Sequence, residues 1–560
     1  APSAGWPPPG CGRRSSDSLV TVRYRNLSLP FDLDESRLPG RLARKLRISR
    51  DRIREVIVER RSLDSRRGRP PRFVYVLRVE LDPEVEGALL SRARSPVEPA
   101  PPPESLAPLP LPTPPSRRPV VVGSGPAGLF AAWRLTLAGA PPIVVERGPA
   151  VKERSLRWAD FLRGGAFDRE ANLLFGEGGA GTYSDGKLYT RVADPRGREV
   201  IEVLVEEGGA PAEILTDARP HIGSNRLPAV QRRLRDRLIE RGAEFRFETL
   251  ASGLVLEGKD HDRRLAGVEL THLPTGERST LETDALFLAP GHSARDTYSW
   301  LLAAGVPMER KPFQIGVRIE HPQEWINELQ YGASAGHPAL PPAEYHWVSD
   351  GNGVDVFSFC MCPGGEILPA TEQEGLICTN GASRHKRTSP WANSGIVITV
   401  PPERFGPGAD PAAGIALQMD IERRAAAAAG GPFGTPALRI ADWLDGRVSR
   451  DLPETSYPLP LTPVDFREFL PEVIHDPIRA GLGRLAERLP GFDRPEGLVV
   501  GPESRSSSPV RILRDRESFQ SPAIRGLHPL GEGAGYAGGI LSAAIDGMRA
   551  AEAWLTAVRV

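Results

Sequence analysis

Residues 119–129 read PVVVGSGPAGL, an apolar run that ends in the glycine pattern Gly123, Gly125 and Gly128. The pattern predicts a strand, a tight turn and then a helix. Gly123 permits the turn, Gly125 lets the backbone approach a pyrophosphate, and Gly128 lets the helix pack closely on the strand. Together these features predict an α/β domain that binds a dinucleotide.

The residues that follow the glycines support the same prediction. Pro126 and Ala127 begin the predicted helix, whose N-terminal N–H groups and partial positive charge suit a phosphate. A second predicted strand at 143–145 ends at Glu146, followed by Arg147. A carboxylate about 20 residues past the glycines is the acceptor that a ribose diol needs. Glu146 and Arg147 are therefore candidate cofactor-binding residues.

A second glycine-rich segment lies near the C-terminus, where residues 526–540 read GLHPLGEGAGYAGGI before a helical pattern at 541–555. It resembles the closing segment of two-dinucleotide-binding flavoproteins, and this resemblance favours FAD over NAD. It implies that an acidic residue accepts a ribityl hydroxyl and that the last helix points its N-terminus at the flavin. The candidate cofactor-binding residues here are Gly531, Glu532, Gly538, Gly539 and Ile540.

A third glycine-rich block, FGEGGAGTYSDGKL at 175–188, contains too much glycine for a core element. Its backbone must turn sharply or approach a flat group, so we predict that it lies against the flavin. A further turn at Gly291 follows an apolar strand at 284–290 and resembles the turn at which such proteins return to their main sheet. The candidate cofactor-binding residues in these segments are Gly178, Gly179, Ser184, Lys187 and Gly291.

Several blocks together resemble the uncharacterised FAD-dependent dehydrogenase family of bacteria and plastids, also labelled NAD-utilising dehydrogenase-like. The resemblance covers most of 119–560 and places the chain in the two-dinucleotide-binding-domain flavoprotein superfamily. It implies an FAD cofactor but no defined substrate, because the family has none that is agreed. The blocks are 175–188, 221–223, 360–365, 380–381, 392–394 and 531–540.

Three side chains are candidates for catalysis. Lys187, in a chain whose basic residues are mostly arginine, could supply a cation that favours reduced flavin; the alternative is a lysine at the surface or facing the pyrophosphate. Cys362 could form a redox dithiol with Cys360, or both could serve structural or pocket roles. His292 is a candidate proton donor, with a structural histidine as the alternative.

The predicted fold class is α/β, with an FAD/NAD(P)-binding Rossmann-like domain, a mixed α+β substrate or cap domain and a small N-terminal α+β domain. Short predicted strands at 244–247, 253–257, 265–271 and 279–282 suggest a β-meander between two strands of the parallel sheet. The predicted divisions are a small domain at 1–94, a proline-rich linker at 95–118, FAD-binding segments at 119–309 and 501–560, and the substrate or cap domain at 310–500.

Composition narrows the functional classes. The 560 residues carry 71 basic and 71 acidic side chains, and the formal net charge of +0 gives no general attraction to nucleic acid or membranes. No apolar run of membrane-spanning length is present. Four cysteines are too few for a disulfide framework, and no cysteine–histidine cluster has metal-ligand spacing. We therefore expect a cytoplasmic protein without a bound metal.

The sequence predicts an FAD-dependent oxidoreductase that transfers hydride or electrons between flavin and a small organic substrate. Only one complete dinucleotide fingerprint is visible, so NAD(P)H, if it is the donor, would bind transiently; a ferredoxin or a substrate is an equally open donor. The alternatives are a flavin-dependent monooxygenase, an RNA-associated flavoprotein that uses its arginine-rich N-terminal domain, and a non-catalytic flavin-binding scaffold. Nucleic acid is the less favoured partner, because no recognised RNA-binding motif accompanies the arginines.

Overall fold

The computed structural model describes residues 21–66, 68–92, 94–100, 110–190, 192–259 and 262–559. These residues form two compact units. The described residues within 1–104, together with 216–218, form the first unit, and the described residues within 105–215 and 219–560 form the second. Cys11 and residues 101–109 of the predicted linker lie outside the described residues.

The first unit is a four-stranded antiparallel sheet in the order β2-β3-β1-β4, with two short helices. Leucines spaced four residues apart along α1 are buried against the sheet. Strand β4 lies inside the segment predicted as linker, because its extended backbone pairs with β1 and adds an edge strand. The elements are β1 (Thr21–Pro30), α1 (Leu38–Leu46), β2 (Ile53–Asp64), β3 (Arg72–Leu81), α2 (Pro83–Leu90) and β4 (Val97–Pro99).

Many arginines of the first unit are paired with carboxylates. Glu59 receives hydrogen bonds from both Arg23 (2.6 Å) and Arg78 (2.9 Å) across the sheet. Arg52 and Arg54 likewise both contact Asp82, at 3.1 and 3.0 Å. These pairs compensate part of the positive charge that the sequence concentrates here.

The second unit begins with a five-stranded parallel sheet in the order β23-β11-β5-β6-β7. The chain runs outward from β5 to β7 and then returns to β11 on the other side of β5, which places a topological switch point between β5 and β11. The elements are β5 (Val120–Val122), α3 (Pro126–Leu137), β6 (Ile143–Val145), α4 (Val151–Phe161), α5 (Arg196–Glu206), α6 (Leu227–Glu240), β7 (Glu244–Arg246), β11 (Leu286–Leu288), β23 (Leu527–Pro529) and α12 (Ile540–Ala557).

Both faces of the parallel sheet are covered, as its apolar strands require. Alternate residues of β5 point to opposite faces: Val121 packs with helices α3, α5, α6 and α12, and Val120 packs on the other side. That other side is covered by a meander of β8 (Thr249–Glu257), β9 (Arg264–His272) and β10 (Glu277–Glu282), together with α7 (Arg295–Ala303).

One strand of the predicted meander belongs elsewhere. The predicted strand at 244–247 is β7, which pairs in parallel with β6 and forms the edge of the main sheet. A short strand has the same local sequence pattern in the meander and in the main sheet, so only its pairing partner shows to which sheet it belongs. The remaining three strands form the meander as predicted.

The second sheet of this unit has seven strands in the order β14-β15-β18-β13-β21-β19-β20, antiparallel except for the pair β19 and β20. A hairpin of β16 and β17 and a pair of β12 and β22 accompany it. The elements are β12 (Met308–Arg310), β13 (Phe313–Pro322), α8 (Gln323–Tyr331), β14 (Val348–Asp350), β15 (Asp355–Cys362), β16 (Gly365–Pro369), β17 (Thr379–Ser383), β18 (Trp391–Val400), α9 (Ala413–Ala428), β19 (Thr435–Arg439), α10 (Ile440–Asp445), β20 (Leu461–Pro463), α11 (Glu472–Arg488), β21 (Leu498–Glu503) and β22 (Val510–Ile512).

Helices α3 and α12, from distant parts of the chain, pack directly on each other. A side chain at Gly547 of α12 would place its Cβ 2.0 Å from the carbonyl oxygen of Ala127 in α3. Only glycine allows this approach, which brings the middle of α12 against the start of α3. In the residues that the structure describes, no helix is both long enough and apolar enough to span a bilayer.

Candidate functional site

A cavity of about 500 Å³ lies in the second unit, at the carboxyl ends of the parallel strands. Its wall includes Val122 at the end of β5, Glu146 just after β6, and Pro290 just after β11. In open α/β sheets this edge, at the switch point, is where ligands bind. Its opposite wall comes from β15 and β17 of the second sheet region, with Phe359 and Asn380 among its residues.

The turn after β5 shapes one end of the cavity. Gly123 has a φ of 92°, and a Cβ there would lie 2.1 Å from the carbonyl oxygen of Ala289, on the neighbouring strand end. Gly128 does not line the cavity, because it packs behind the turn against the carbonyl of Gly123. Gly125, which caps α3, lines the cavity.

Two helix N-termini meet at this cavity. Pro126 and Ala127 at the start of α3 line it, and so do Gly539 and Ile540 at the start of α12. A Cβ on Gly538 or Gly539 would have no atom within 4 Å, so both glycines lie against open space. Each helix therefore directs unpaired N–H groups and a partial positive charge at one enclosed volume.

Glu146 lies at the carboxyl end of β6 with 5% of its surface exposed. Its carboxylate accepts hydrogen bonds from the backbone N–H (3.0 Å) and hydroxyl (2.7 Å) of Ser124 and from the N–H of Gly148 (3.0 Å). These bonds fix the acidic side chain against the glycine turn. Its neighbour Arg147 lines the cavity and stacks on the ring of Phe175 at 4.2 Å.

Arg147 is held by two carboxylates. Its guanidinium donates to Glu170 at 2.6 and 3.0 Å and to Asp296 at 3.0 Å. Burial opposes its charge, but both carboxylates raise the pKa of Arg147 above its usual value. The cation is thus permanent and fixed in the cavity wall.

The glycine-rich block is organised by a buried arginine that no sequence motif marks. Arg154 of α4 is 0% exposed, and its guanidinium donates hydrogen bonds of 2.7–3.1 Å to five backbone carbonyls. Burial lowers the pKa of Arg154. The carbonyls belong to Asn172, Leu173, Gly176, Glu177 and Gly179.

The block contributes only part of its predicted site residues to the cavity. Gly179, Ser184 and Lys187 line it. Gly178 does not: it has a φ of 84°, and its N–H donates to the Ser124 hydroxyl at 3.1 Å. Gly178 thus ties the block to the glycine turn instead of forming the cavity wall.

Lys187 lies at the centre of a charged cluster. Its Nζ is 2.8 Å from the carboxylate of Asp185, which is 1% exposed, and contacts the sulfurs of Cys360 (3.9 Å) and Cys362 (3.8 Å). Burial opposes the ammonium charge, but the sulfurs and Asp185 raise the pKa of Lys187 well above its usual value. Lys187 therefore stays protonated, and Asp185 is a neighbour that was not predicted from the sequence.

The segment after β23 supplies an acid and a histidine partner. Gly531 and Glu532 line the cavity, as do Gly291 and His292 from the turn after β11. The Glu532 carboxylate is 3.7 Å from the His292 Nδ1. Burial raises the pKa of Glu532 to about 7, and burial together with nearby arginines lowers the pKa of His292 to about 4. At neutral pH His292 is thus an uncharged imidazole beside a carboxyl that can hold a proton.

Some buried polar atoms in the cavity wall are unpaired. Among the described residues, the Nε2 of His292 and the hydroxyls of Ser293 and Ser506 are buried, line the cavity and have no hydrogen-bond partner. Buried polar groups are rarely left unpaired. With the two helix N-termini and the open glycines, they fit a long ligand that carries phosphates near one helix start and a ring with polar edges near the other.

The region around the seven-stranded sheet adds residues that were not predicted from the sequence. Arg505 lines the cavity and pairs with Glu372 (3.0 Å) and Glu422 (2.7 Å) in its buried surroundings. No local motif marks these residues, because they converge from separate elements. The other unpredicted wall residues of this kind include Tyr189, His346, Ser358, Thr379 and Glu503.

Comparison with known proteins agrees with this site. A family model described as "FAD-dependent protein, C-terminal domain-like" matches residues 312–506, and a model described as a domain of unknown function matches residues 21–80. Fold, site and family model together define an FAD-dependent flavoprotein with a Rossmann-like domain, whose cofactor is FAD.

A relative from Clostridium beijerinckii, described as "Uncharacterized protein", matches nearly the whole chain. It is 37% identical over 538 residues, which cover 95% of this chain and 98% of the relative. The chain belongs to the same family as this relative.

Solved structures are more distant. A geranylgeranyl bacteriochlorophyll reductase-like protein from Thermoplasma acidophilum is 13% identical with a TM-score of 0.34, and the match covers 80% of this chain and 79% of that one. The L-proline dehydrogenase of P. horikoshii is 11% identical with a TM-score of 0.35, covering 80% of this chain and 95% of that one.

Proposed function

We propose that this protein is an FAD-dependent oxidoreductase that transfers hydride or electrons between its flavin and a small organic substrate. The observation that carries the proposal is the meeting of the α3 and α12 N-termini, from opposite ends of the second unit, at one cavity with open glycines. When bound, FAD supplies the two-electron acceptor or donor that protein side chains lack.

Different residues of the chain would bind different parts of FAD. The N-terminus of α3, at Gly125 and Pro126, would hold the pyrophosphate, and Glu146 would accept a ribose hydroxyl by exchanging its present bond to Ser124. At the other end, Glu532 would accept a ribityl hydroxyl. The start of α12 would place N–H groups and a positive dipole end near the ring, where reduced flavin carries negative charge.

Two side chains would tune the chemistry. Lys187 stays protonated, so it would add a fixed positive charge to the wall shared with the second sheet. His292 is uncharged at neutral pH because its pKa is lowered, so it would act as a hydrogen-bond partner or proton relay with Glu532 and not as a fixed cation. These roles rest on geometry at the cavity wall.

The substrate would occupy the part of the cavity nearest the seven-stranded sheet. This wall offers Tyr189, His346, Ser358 and Asn380, with Lys187 at its edge. Such a lining suits a small molecule with hydrogen-bonding groups and a site for a negative charge. We keep NAD(P)H as a candidate transient donor, because the sequence carries no second dinucleotide fingerprint.

The test begins with the purified protein, its absorbance spectrum and anaerobic titration with NADH and NADPH. We expect a yellow protein that one reductant or substrate bleaches. Protein that folds but retains no flavin would refute the proposal. Rapid NAD(P)H consumption with peroxide formation would instead support the monooxygenase alternative.

A pair of glycine variants tests whether the start of α12 lies against the flavin. Gly538→Leu fills the open space at the start of α12, where no atom lies within 4 Å, so it should leave the fold intact. We expect it to weaken FAD binding at least about tenfold, or about 1.4 kcal/mol. Gly431 lies outside the cavity, and a Cβ there would meet only the Gly434 nitrogen, at 4.0 Å; Gly431→Leu is therefore the matched control and should bind FAD normally. Equal affinities for the two variants would count against the proposed position of the flavin.

A further inference from the structure

A β-bulge presents two cysteines at the end of β15. The ladder between β15 and β18 pairs Phe359 with Gly395 and then Cys362 with Asn393, so one extra residue is inserted on β15. Within the bulge, Cys360 has a φ of 46°, in the left-handed region that residues with a side chain seldom adopt. Bulges re-aim side chains and are frequent next to active sites.

The bulge brings both sulfurs to the same cation. The Nζ of Lys187 lies 3.9 Å from the Cys360 sulfur and 3.8 Å from the Cys362 sulfur. Cys360 lines the cavity that also contains the helix N-termini, whereas Cys362 is 0% exposed and lies behind it. Cys362 is the catalytic candidate that the sequence suggested, but the structure gives access to Cys360.

The surroundings favour a thiolate at Cys360 and a thiol at Cys362, whose sulfur is 3.3 Å from the backbone carbonyl oxygen of Cys360. A hydrogen bond from Cys362, followed by the charges of Lys187 and Arg318, lowers the pKa of Cys360. The same hydrogen bond, together with burial, raises the pKa of Cys362. A thiolate held beside a thiol and a lysine is the arrangement typical of reactive cysteines.

The third described cysteine, Cys378, has surroundings that raise its pKa instead of lowering it. Cys378 is also free and buried, but burial and the Glu422 carboxylate raise its pKa to about 11. Its sulfur accepts a hydrogen bond from the N–H of Ser504 at 3.5 Å. Burial and a nearby carboxylate therefore favour the protonated thiol at Cys378, and the cluster around Lys187 reverses that effect at Cys360.

We propose that Cys360 and Cys362 form a second redox centre, a dithiol–disulfide pair that exchanges two electrons with the bound FAD. The proposal rests on the proposed function, because it requires flavin in the cavity that Cys360 lines. It extends that function by giving the enzyme a store of two further electrons and a route for electrons to or from a small thiol or disulfide that enters the cavity.

The exchange balances without another reactant. One thiolate and one thiol lose two electrons and one proton as a sulfur–sulfur bond forms, and oxidised FAD takes up the same two electrons and proton. The negative charge that leaves the sulfurs reappears on the reduced cofactor, while Lys187 remains as the positive partner in the same wall. In the reverse direction the sulfur–sulfur bond breaks and the proton returns to one sulfur.

The disulfide is within reach of this backbone. Residues two positions apart lie at most about 7 Å apart, even in fully extended chain. Disulfides need Cα atoms about 4.4–6.8 Å apart, a range that lies within this limit. Because Cys362 is enclosed, external thiols would attack the sulfur of Cys360.

Electron counting on the holoprotein tests the proposal. Air-oxidised protein, titrated anaerobically with dithionite, should take up four electrons per FAD: two for the flavin and two for the disulfide. Cys360→Ser and Cys362→Ser should each take up two. The matched control Cys378→Ser changes the inert cysteine and should take up four.

A second measurement does not depend on flavin chemistry. Oxidised protein is denatured in the presence of an alkylating agent and cleaved after glutamates, which separates both cysteines from Cys378, and the peptide 345–366 is weighed. We expect an unalkylated peptide lacking two hydrogens before reduction, and two alkyl groups after it. Two alkyl groups in the oxidised sample would overturn the dithiol proposal.

The outcomes separate the two proposals. Yellow holoprotein that takes up only two electrons, with both cysteines alkylated, refutes the redox pair and leaves the flavin enzyme standing. Folded protein that never retains flavin refutes the proposed function. Four electrons in the wild type and in Cys378→Ser, but two in Cys360→Ser, support both.

Discussion

Lys187 illustrates how one side chain sets the chemistry of its neighbours. Its ammonium contacts two sulfurs and a buried carboxylate, and it lowers the pKa of Cys360 together with the hydrogen bond from Cys362. Because the pKa of Cys360 is about 5, we predict that Lys187→Met slows its alkylation by iodoacetamide about tenfold at pH 4, where a rise of one pKa unit lowers the thiolate fraction by that factor. Peptide mass spectrometry of reduced protein over time measures the rate.

The matched control for this change is Lys152→Met, which removes an exposed lysine on α4. The rate of Cys360 alkylation should not change in this control. If Lys187→Met and Lys152→Met react equally fast, the lysine does not stabilise the thiolate.

Glu532 makes stability depend on pH. Burial raises the pKa of its carboxyl from 4.5 to about 7, so the folded protein favours the protonated form. The stability that the protonated Glu532 carboxyl contributes is present in full below pH 4.5 and is lost as the pH rises through about 7. We predict that Glu532→Gln stabilises the ligand-free protein by about 1–3 kcal/mol more at pH 8 than at pH 5, which urea unfolding at both pH values measures.

The exposed Glu324 of α8 provides the comparison. Glu324→Gln should change the free energy of unfolding equally at pH 5 and pH 8. A pH-independent effect of Glu532→Gln as well would show that its carboxyl titrates normally in the folded protein.

At the scale of elements, α4 holds the glycine-rich block through Arg154. Arg154→Met removes a donor from five carbonyls. Those of Gly176, Glu177 and Gly179 keep a hydrogen bond from Gly179 or Thr182, but the other two become unpaired, and an unpaired buried polar group costs about 1–3 kcal/mol. We predict a loss of about 3–5 kcal/mol in the free energy of unfolding, with weakened FAD retention. Urea unfolding and the flavin absorbance of the purified variant measure both effects.

Arg163→Met is the control for this element, because Arg163 follows α4 and is 74% exposed. Its loss should change stability by less than about 0.5 kcal/mol. Comparable losses for the two variants would mean that the buried hydrogen bonds of Arg154 do not organise the block.

At the scale of the whole molecule, the cavity belongs to the second unit. Every residue that lines it falls between Val122 and Ala543. We predict that a protein lacking residues 1–104 retains FAD, as measured by its flavin absorbance after gel filtration. Circular dichroism would confirm that it is folded; a folded protein without flavin would show that the first unit is needed for cofactor binding.

The strands and helices around the cofactor could be predicted because their signals are local. The turn at Gly123 needs a positive φ, the helix after it needs an N-terminus, and the last helix needs the glycines before Ile540. Each requirement is met within a few residues, so the sequence displays it. The sheet to which β7 belongs could not be predicted, because the sequence of a three-residue strand does not specify its pairing partner.

By itself, therefore, the sequence determined the parallel α/β core, the two glycine turns and the FAD cofactor, since backbone geometry and helix ends depend on neighbouring residues. Only the tertiary structure decided that Arg154 orders the block, that Asp185 and both sulfurs meet at Lys187, and that Cys360 faces the cavity. These contacts join residues up to 175 positions apart. These residues come together through the packing of the sheets and the position of a β-bulge. Neither can be predicted from the spacing of nearby residues in the sequence.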